Sequence, residues 1–579
     1  MKKKSSRPSN ESDPQHTASA PRGTLTSYRV AALPVLNGIL KRLRLEPFLR
    51  DYLPREDERS RIPAATGLMV LVKNLLISRE PLYGVGEWAA RHAPQLLELT
   101  PAQLPSLNDD RVGRCLDRLF DADIPSLTLA VVAHAVREFG VDLDELHNDS
   151  TTITFHGDYE AADQERTLRG KLRLAITHGH NKDHRPDLKQ LLYILTVARD
   201  GAVPVHFRVE SGNATDDRSH IETWTILCKL TGRRDFLYVA DCKLATAENM
   251  AHIHQHGGRF LTILPRTRSE DTSFRAAVRA GLARWKHIHD KRDDDGDLID
   301  RYRIHEPEST TAEGYKLVWY HSARKAELDA LTRHKRLERA AAALTELRTK
   351  LTSPRTRYRD HAKVAQAVDE VLSDGDVEGF IIVEIAEKTV ETFRQDRRGR
   401  PSPETRYVRS EAKRFDLTWR IDHDRLTQES LCDGIFPLVT NETSVSAVDL
   451  LLSYKQQPMI EKRFSQLKTD FVVAPVYLKE VSRIQALLCV YFFSLLVESL
   501  LERQLRRAMA RDGVTSLPLY PEARACRRPT ARRVIDLFED VQRHELVSEG
   551  RIASIFMTDL TRLQRKILRL LGMPKAYTS

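Results

Sequence analysis

Between about Ser27 and Phe139 apolar residues return every three or four positions, in ALPVLNGILKRLRLEPFLRDYL, TGLMVLVKNLLI, DRVGRCLDRLF and LTLAVVAHAVREF. That period matches the helical turn. Pro54, Pro63, Pro81, Pro101 and Pro125 punctuate the runs, as residues without an amide N–H do at helix ends. Residues 27–140 are therefore expected to form a helical domain of five or six helices. Near Leu143 the character changes. ELHNDSTTITF, LRLAITHG, QLLYILTVA and VPVHFRV are short β-type runs, and Asp200-Gly201 supplies a hairpin turn between the last two. A helix over 217–231, the strand FLYVAD, a helix over 245–256 and the strand FLTILP follow. Antiparallel strands giving way to alternating helix and strand predict a mixed α/β sheet.

From about Arg266 to Asp433 this pattern is interrupted. KLVWYHS and GFIIVEIAEK read as strands, residues 323–351 as a long charged helix, and DRRGRPSPETR (396–406) as a basic, proline-containing loop. DGIFPLVTN (433–441) resumes strand character and leads into a helical pattern around Glu461. Another helix runs to about Arg507, then a Pro- and Arg-rich linker, PEARACRRPT, then a final helical segment. The expected fold class is multidomain α+β. Residues 1–26 form a disordered basic tail, 27–140 a helical domain, 141–265 the first part of a mixed α/β core, 266–432 an insertion, 433–510 the second part of the core, and 511–579 a helical C-terminal region without an assignable role. A chain of 579 residues exceeds what one compact core holds.

Composition narrows the class. Hydrophobic content of 41% and charged content of 30% fit a soluble protein. The net charge of +10, with a pI near 9.2, favours a polyanionic partner. Cys115, Cys228, Cys242, Cys432, Cys489 and Cys526 are scattered and read as reduced thiols. Residues up to about Gly23 are polar and Ser/Pro-rich, without an apolar signal core. IQALLCVYFFSLLVESLL (484–501) contains Gln485 and Glu498 and reads as a buried core helix, so no membrane partner and a cytoplasmic location are expected.

Three acidic residues then stand out. Asp149 lies in HNDSTTITFHGDY and Asp241 in FLYVADCKLATAENM, in or just after runs that read as buried strands; Glu461 lies in the helical YKQQPMIEKRFSQLK. Two strand-borne carboxylates and one from a later helix can converge on a pair of Mg²⁺ ions, which take hard oxygen ligands. Read as one helix, Tyr454, Gln457, Glu461 and Lys468 share a polar face, with Pro458 a place where that helix starts or kinks. An aspartate beside Ser150-Thr151-Thr152 can also simply make a turn.

This constellation resembles the bacterial insertion-sequence DDE transposases marked by a Tyr-x2-Arg-x3-Glu-x6-Lys signature. Here it reads Tyr454-x2-Gln457-x3-Glu461-x6-Lys468, with the arginine replaced. THGHNKDHRPDLKQ (177–190) is similar to the stretch after the first catalytic aspartate in one branch, and DGIFPLVTN with APVYLKEVSRIQALLCVYFFSLLV resembles the closing segment. The resemblance covers roughly residues 28–510. It implies a ribonuclease-H-like catalytic core, a metal-binding triad of Asp149, Asp241 and Glu461, two Mg²⁺ ions (Mn²⁺ substituting), and excision followed by joining of 3′-OH ends to target DNA. It further implies double-stranded DNA as partner, a homodimer in the DNA complex, and phosphate contacts from Tyr454, Gln457, Lys468, Lys182, His184 and Arg185. Trp319 is the candidate to receive a flipped base, the alternative being a core tryptophan.

Other features carry two readings each. His178, His180 and His184, with Lys182 and Arg185 between them, suit a basic loop along DNA or a solvated surface loop; Asp183 and Asp187 show no evident partner. His252, His254 and His256 alternate in a helix and are not expected to share a face. Arg524, Arg527 and Arg528 either clamp phosphates or keep a linker soluble. The helical domain either recognises the element's terminal inverted repeats or serves packing and dimerisation. A nuclease on the same core and an inactive, transposase-derived DNA-binding protein are the competing functions.

Overall fold

A computed structural model describes residues 23–56, 60–214, 219–293, 295–353, 356–470, 478–548 and 551–578. The chain divides into two compact units, Met1–Phe236 with Gln457–Ser579, and Leu237–Gln456.

The first unit is organised around one helix. Before it in the chain come β1 (Gly23–Arg29), α1 (Leu33–Leu43), α2 (Leu45–Tyr52), α3 (Ala64–Ile77), α4 (Val85–Ala90), α5 (Asp109–Asp121) and α6 (Ile124–Phe139). Strands β2 (Glu145–Phe155), β3 (Arg166–Leu168), β4 (Lys171–Arg173), β5 (Lys189–Ala198) and β6 (Val203–Ser211) and helix α7 (Ser219–Thr231) follow. After the second unit the chain returns with α14 (Pro458–Ser465), α15 (Val481–Arg511), α16 (Ala531–Asp536), the strands β16 (Gln542–Ser548) and β17 (Arg551–Met557), and α17 (Arg562–Leu570). Helix α15 is long and apolar enough to cross a membrane, yet 94% of its most apolar window is buried inside the protein. It packs against α3 and α5 on the helical side and β6 on the sheet side. Phe492 stacks on Phe207 at 4.7 Å, and Phe207 on Tyr193 at 5.7 Å.

The antiparallel order β2–β5–β6 puts Asp149 opposite Leu195, and Leu195 opposite Phe207. The β5–β6 turn takes Gly201 at φ 82°, a left-handed conformation that glycine adopts without a Cβ clash. The sequence pattern also predicts a strand over LRLAITHG, but only Lys171–Arg173 is one. Beyond it Ala175 bonds to Ser211 and Gly212, Ile176 to Ala162 and Thr177 to Gln190, so its backbone groups are satisfied by three separate segments.

Both chain ends depart from expectation. Residues 1–22 lie outside the described residues, but Gly23–Arg29, partly assigned to a disordered tail, is a strand antiparallel to Gln542–Ser548. The C-terminal region, expected to be helical, contributes the hairpin β16–β17 to that three-stranded sheet. Leu25 pairs with Leu546, a contact between residues more than five hundred apart that local periodicity could not reveal.

The second unit contains β7 (Leu237–Ala240), α8 (Ala247–Gln255), β8 (Arg259–Ile263), α9 (Ser269–Arg279), β9 (Trp285–Arg292), β10 (Leu298–His305), β11 (Ser309–Thr310) and β12 (Lys316–Ser322). Then come α10 (Ala323–Thr352), α11 (His361–Asp374), β13 (Ile381–Gln395), β14 (Tyr407–Ile421), α12 (His423–Ser430), β15 (Ile435–Thr440) and α13 (Ala447–Tyr454). Its sheet runs β7–β8–β15–β12–β10–β9, parallel at β7–β8 and antiparallel thereafter. Segment 266–432 thus lends four strands, β9, β10, β12 and the short β11 paired to β12, to the sheet begun by β7 and β8. Val239, Leu261, Val318, Tyr320, Leu438 and Leu451 form its core. A second core lies under α10, where Leu337, Ala340, Leu344, Leu347 and Leu351 repeat at alternating intervals of three and four and face Val364, Phe415 and Leu417.

Candidate active site

Asp149 sits mid-strand in β2. A run of apolar and β-branched neighbours buries most of that strand, and Asp149 is one of its two partly exposed positions. Its Oδ1 accepts from the Ser150 N–H at 2.7 Å and lies 3.5 Å from Lys182 Nζ. Lys182 Nζ also donates to the Ser150 carbonyl at 2.8 Å and the Ser150 hydroxyl at 2.6 Å. With 24% of the Asp149 side chain exposed, the carboxylate is held but reachable.

The loop that delivers Lys182 is built by one asparagine. Buried Asn181 accepts from the Asp183 and Arg185 N–H groups at 2.8 and 3.2 Å, folding the chain back on itself. Its approach is fixed at Gly179, where a Cβ would fall 1.9 Å from the Gly212 carbonyl oxygen. The fold-back turns Asp183 to Lys468, whose Nζ lies 2.6 and 2.7 Å from the two carboxylate oxygens. Asp183 therefore has a partner that the sequence did not reveal, 285 positions away. Arg185 pairs instead with Asp187 at 2.8 and 2.7 Å, and that hydrogen-bonded guanidinium pulls the Asp187 carboxyl down to about 2. His184 takes a left-handed φ of 56°.

Glu461 is exposed in the first turn of α14, which packs against β2 and β5. Two residues on, Arg463 projects the other way and is 1% exposed. Its Nε donates to the Ala202 carbonyl at 2.9 Å, Nη2 to the Gly201 carbonyl at 3.0 Å, and Nη1 to Gln466 Oε1 at 2.6 Å. Nη2 also lies 3.2 Å from Glu502 on α15. Glu502 is fully enclosed with Lys462 at 3.5 Å, Arg506 at 3.4 Å and the Ala531 N–H at 3.0 Å. Burial pushes the Glu502 carboxyl up, and Arg463, Lys462 and Arg506 together outweigh it and hold it below its ordinary value. This cluster ties the Glu461 helix to the β5–β6 turn and to α15. Only the fold joins Arg463 to Glu502, 39 positions away, and the sequence reading missed both.

The one-helix reading of the signature fails. Chain 447–470 is three pieces: α13 ends at Tyr454, α14 begins at Pro458, and Lys468 lies in a π-helical turn over Gln466–Asp470. Pro458 cannot donate to the previous turn and so opens a new helix, and the wider π turn shifts Lys468 off the face of Glu461. Gln457 immediately precedes α14, with its side-chain oxygen buried and without a hydrogen-bond partner among the described residues. Tyr454 belongs to the second unit and is partly buried against that unit's sheet core.

Asp241, also in the second unit, follows β7 directly and caps the short turn after it, accepting from the Lys243 N–H at 3.0 Å. Its carbonyl accepts from Thr262 Oγ1 on β8 at 2.6 Å. Among the described residues no group of three His, Cys, Asp or Glu side chains is placed to hold a metal ion. Trp319 is a core residue, stacked on Phe274 at 4.0 Å with its indole N–H on Ser309 Oγ. His252 and His256 do share a face, their rings 4.2 Å apart, because alternate positions are four residues apart at every second step.

Residues 25–133 match the family described as Domain of unknown function (DUF4277), well under half of the chain. No curated protein matches. Among solved structures, the chain is similar to the cryo-EM structure of a piggyBac transposase synaptic complex with hairpin DNA, at 8% sequence identity and a TM-score of 0.27. The match covers 48% of this chain and 63% of that chain, a likeness too slight to assign a shared fold.

Proposed function

We propose that this protein is a DNA transposase of the DDE kind, with a ribonuclease-H-like core, which excises an insertion sequence at its terminal inverted repeats and joins the 3′-OH ends to target DNA. The observation that carries the reading is within the first unit: the helix bearing Glu461 packs on the strand bearing Asp149, while loop 177–187 brings Lys182 to Asp149 and couples Asp183 to Lys468. Two acidic residues from separated parts of the chain are thereby carried on neighbouring elements, with Lys182 against Asp149 and Lys468 against Asp183 of the adjoining loop. Asp241 of the second unit is the third carboxylate the reading assigns.

Partly exposed carboxylate oxygens are the donors that Mg²⁺ or Mn²⁺ takes, and Mg²⁺ needs only one or two from protein when water and phosphate fill the rest of its shell. Such ions would supply activation of the attacking oxygen and stabilisation of the leaving 3′ oxygen. The chain's own residues do the positioning. Asp149 and Glu461 would each offer an oxygen ligand to such an ion, Asp241 being the third carboxylate the reading assigns; Lys182 balances the Asp149 charge, and Lys468 can exchange Asp183 for a DNA phosphate. Double-stranded DNA is the partner, with a homodimer when two ends are held together.

The test is strand cleavage and joining on labelled DNA carrying the sequences that flank the gene, with Mg²⁺ or Mn²⁺. Asp149→Asn and Glu461→Gln should each abolish boundary nicking and joining, by at least about a hundredfold. Cleavage without joining would make the protein a nuclease. End-binding without cleavage would make it a DNA-binding derivative, and full activity in both variants would remove the carboxylate assignment.

A further inference from the structure

The longest strands in the molecule, β13 and β14, pair residue for residue from Ile381↔Ile421 to Gln395↔Tyr407. At about 3.4 Å per residue this two-stranded ribbon is about 50 Å long. Its two halves differ. The proximal half is rooted in the core under α10, through Ile381, Val383, Ile385, Phe415, Leu417 and Trp419. From Ala386 out to the tip and back to Glu411, every described residue is exposed except Gln395 and Thr405, which are partly covered. An isolated two-stranded ribbon gains little from its own contacts. Half its length therefore extends beyond what the core supports.

The free half has a distinct composition. Residues 388–414 hold nine Lys and Arg against four Asp and Glu, a net charge of +5, half that of the whole chain. Of the tip arginines only Arg409 is paired, with Glu391 and Glu411; none of Arg394, Arg397, Arg398, Arg400 and Arg406 is within ion-pair distance of a carboxylate among the described residues. Exposed Phe393, Tyr407, Val390 and Val408 are interleaved with them. Arg409 sits opposite Phe393, so charge and ring share one face, and Arg394 sits opposite Val408 on the other.

We propose that this ribbon is a DNA arm that lies in the major groove, its arginines on the flanking phosphates and base edges and its aromatic and β-branched side chains on the groove floor. Dimensions and charge both favour this occupant. A major groove about 12 Å wide admits a two-stranded β-ribbon, and the free half, about 25 Å long, follows most of one helical turn. Arg394 on one face, Arg409 with its exposed glutamate partners on the other, and the arginines of loop 396–406 at the tip suit a groove walled by phosphate on two sides. A membrane surface would instead call for charge on one face and apolar groups on the other. The arm rests on the DNA reading above for its partner, and on the second unit alone for its geometry.

The decisive experiment titrates the full-length protein against a duplex carrying the flanking sequence, by fluorescence anisotropy across a range of salt. Wild type is compared with a variant in which Arg394, Arg397, Arg398, Arg400, Arg406 and Arg409 are glutamine. Each lost phosphate contact should lower the slope of log K against log salt by about 0.9, so loss of four or more gives a slope shallower by about 4 and binding weaker by at least tenfold. Guanine N7 protection from methylation, a major-groove signal, should vanish together with it. Should the variant misfold by circular dichroism, a second one replaces residues 389–413 with Asn-Gly, leaving the rooted half intact. Unchanged affinity, slope and protection in the folded variant would overturn the arm while leaving the transposase reading standing. Failure of the wild type to bind any duplex would overturn both. Wild-type preference for phosphatidylserine vesicles over duplex, lost in the variant, would replace DNA with a membrane.

Discussion

The enclosed charges around Glu502 and the open charges of the β13–β14 ribbon are both arginine-rich, and they behave in opposite ways. At Glu502 three cations surround one carboxylate that is fully removed from water, and every Arg463 nitrogen has an acceptor within the protein. On the ribbon five arginines meet solvent with no carboxylate in reach among the described residues. Burial makes an ion pair depend on complete satisfaction, since a charge stripped of both water and partner costs several kcal/mol. An exposed arginine stays hydrated and can exchange water for a phosphate. The first arrangement fixes a helix; the second leaves binding capacity for another molecule.

The largest effect should come from opening the enclosed cluster. Arg463→Ala leaves Glu502 with fewer cations and strips acceptors' partners from Gly201 and Ala202, and is expected to cost about 3–5 kcal/mol in urea unfolding. Arg463→Lys should recover little, because an ammonium cannot span the same fork of acceptors. The cluster also sets an acid limit. Because Glu502 is depressed in the folded protein, its stabilisation is complete above the ordinary value of 4.5 and is lost as pH falls below it. A wild-type acid-unfolding midpoint unchanged by Glu502→Gln would show that the cluster does not do this.

Next in size is the ribbon's root. Leu344→Ala, beneath β14, should cost about 2–5 kcal/mol by leaving a cavity in the second unit's smaller core. The same variant should weaken duplex binding if the arm needs a rigid base, and unaltered binding would argue that the arm acts as a flexible tether.

The smallest effect belongs to a pair of the open kind. Lys468 and Asp183 are 28% and 40% exposed, so their coupling in a double-mutant cycle should be about 0–1 kcal/mol. Lys468→Ala should nevertheless reduce DNA cleavage much more than stability. Equal losses in both would mark it as a loop tie only.

Much of the secondary structure was legible, and the reason is local. Strand β2 matches its apolar run residue for residue, and α10 spans the predicted charged helix with one extra residue, because side-chain alternation and helical repeat are written within a dozen positions. Asp149 in β2, Asp241 just after β7 and Glu461 in α14 lie on the strand, strand end and helix that the pattern predicts for them. Less legible were features set by competition between backbone and neighbours. Pro458 divided a helix that polar spacing had drawn as continuous, and LRLAITHG lost its strand because its hydrogen bonds are shared among three segments.

By itself, then, the sequence determined many of the helical and strand segments, the buried character of α15, the basic balance, and which carboxylates merit attention. All of these depend on residue type and short-range periodicity. Tertiary structure alone decided that Lys468 meets Asp183, that Arg463 closes on Glu502, that the two chain ends share a sheet, and that a basic loop is the tip of an exposed ribbon. These pairings join positions tens to hundreds of residues apart. Their energies come from burial and charge satisfaction, which exist only once the chain has closed around them.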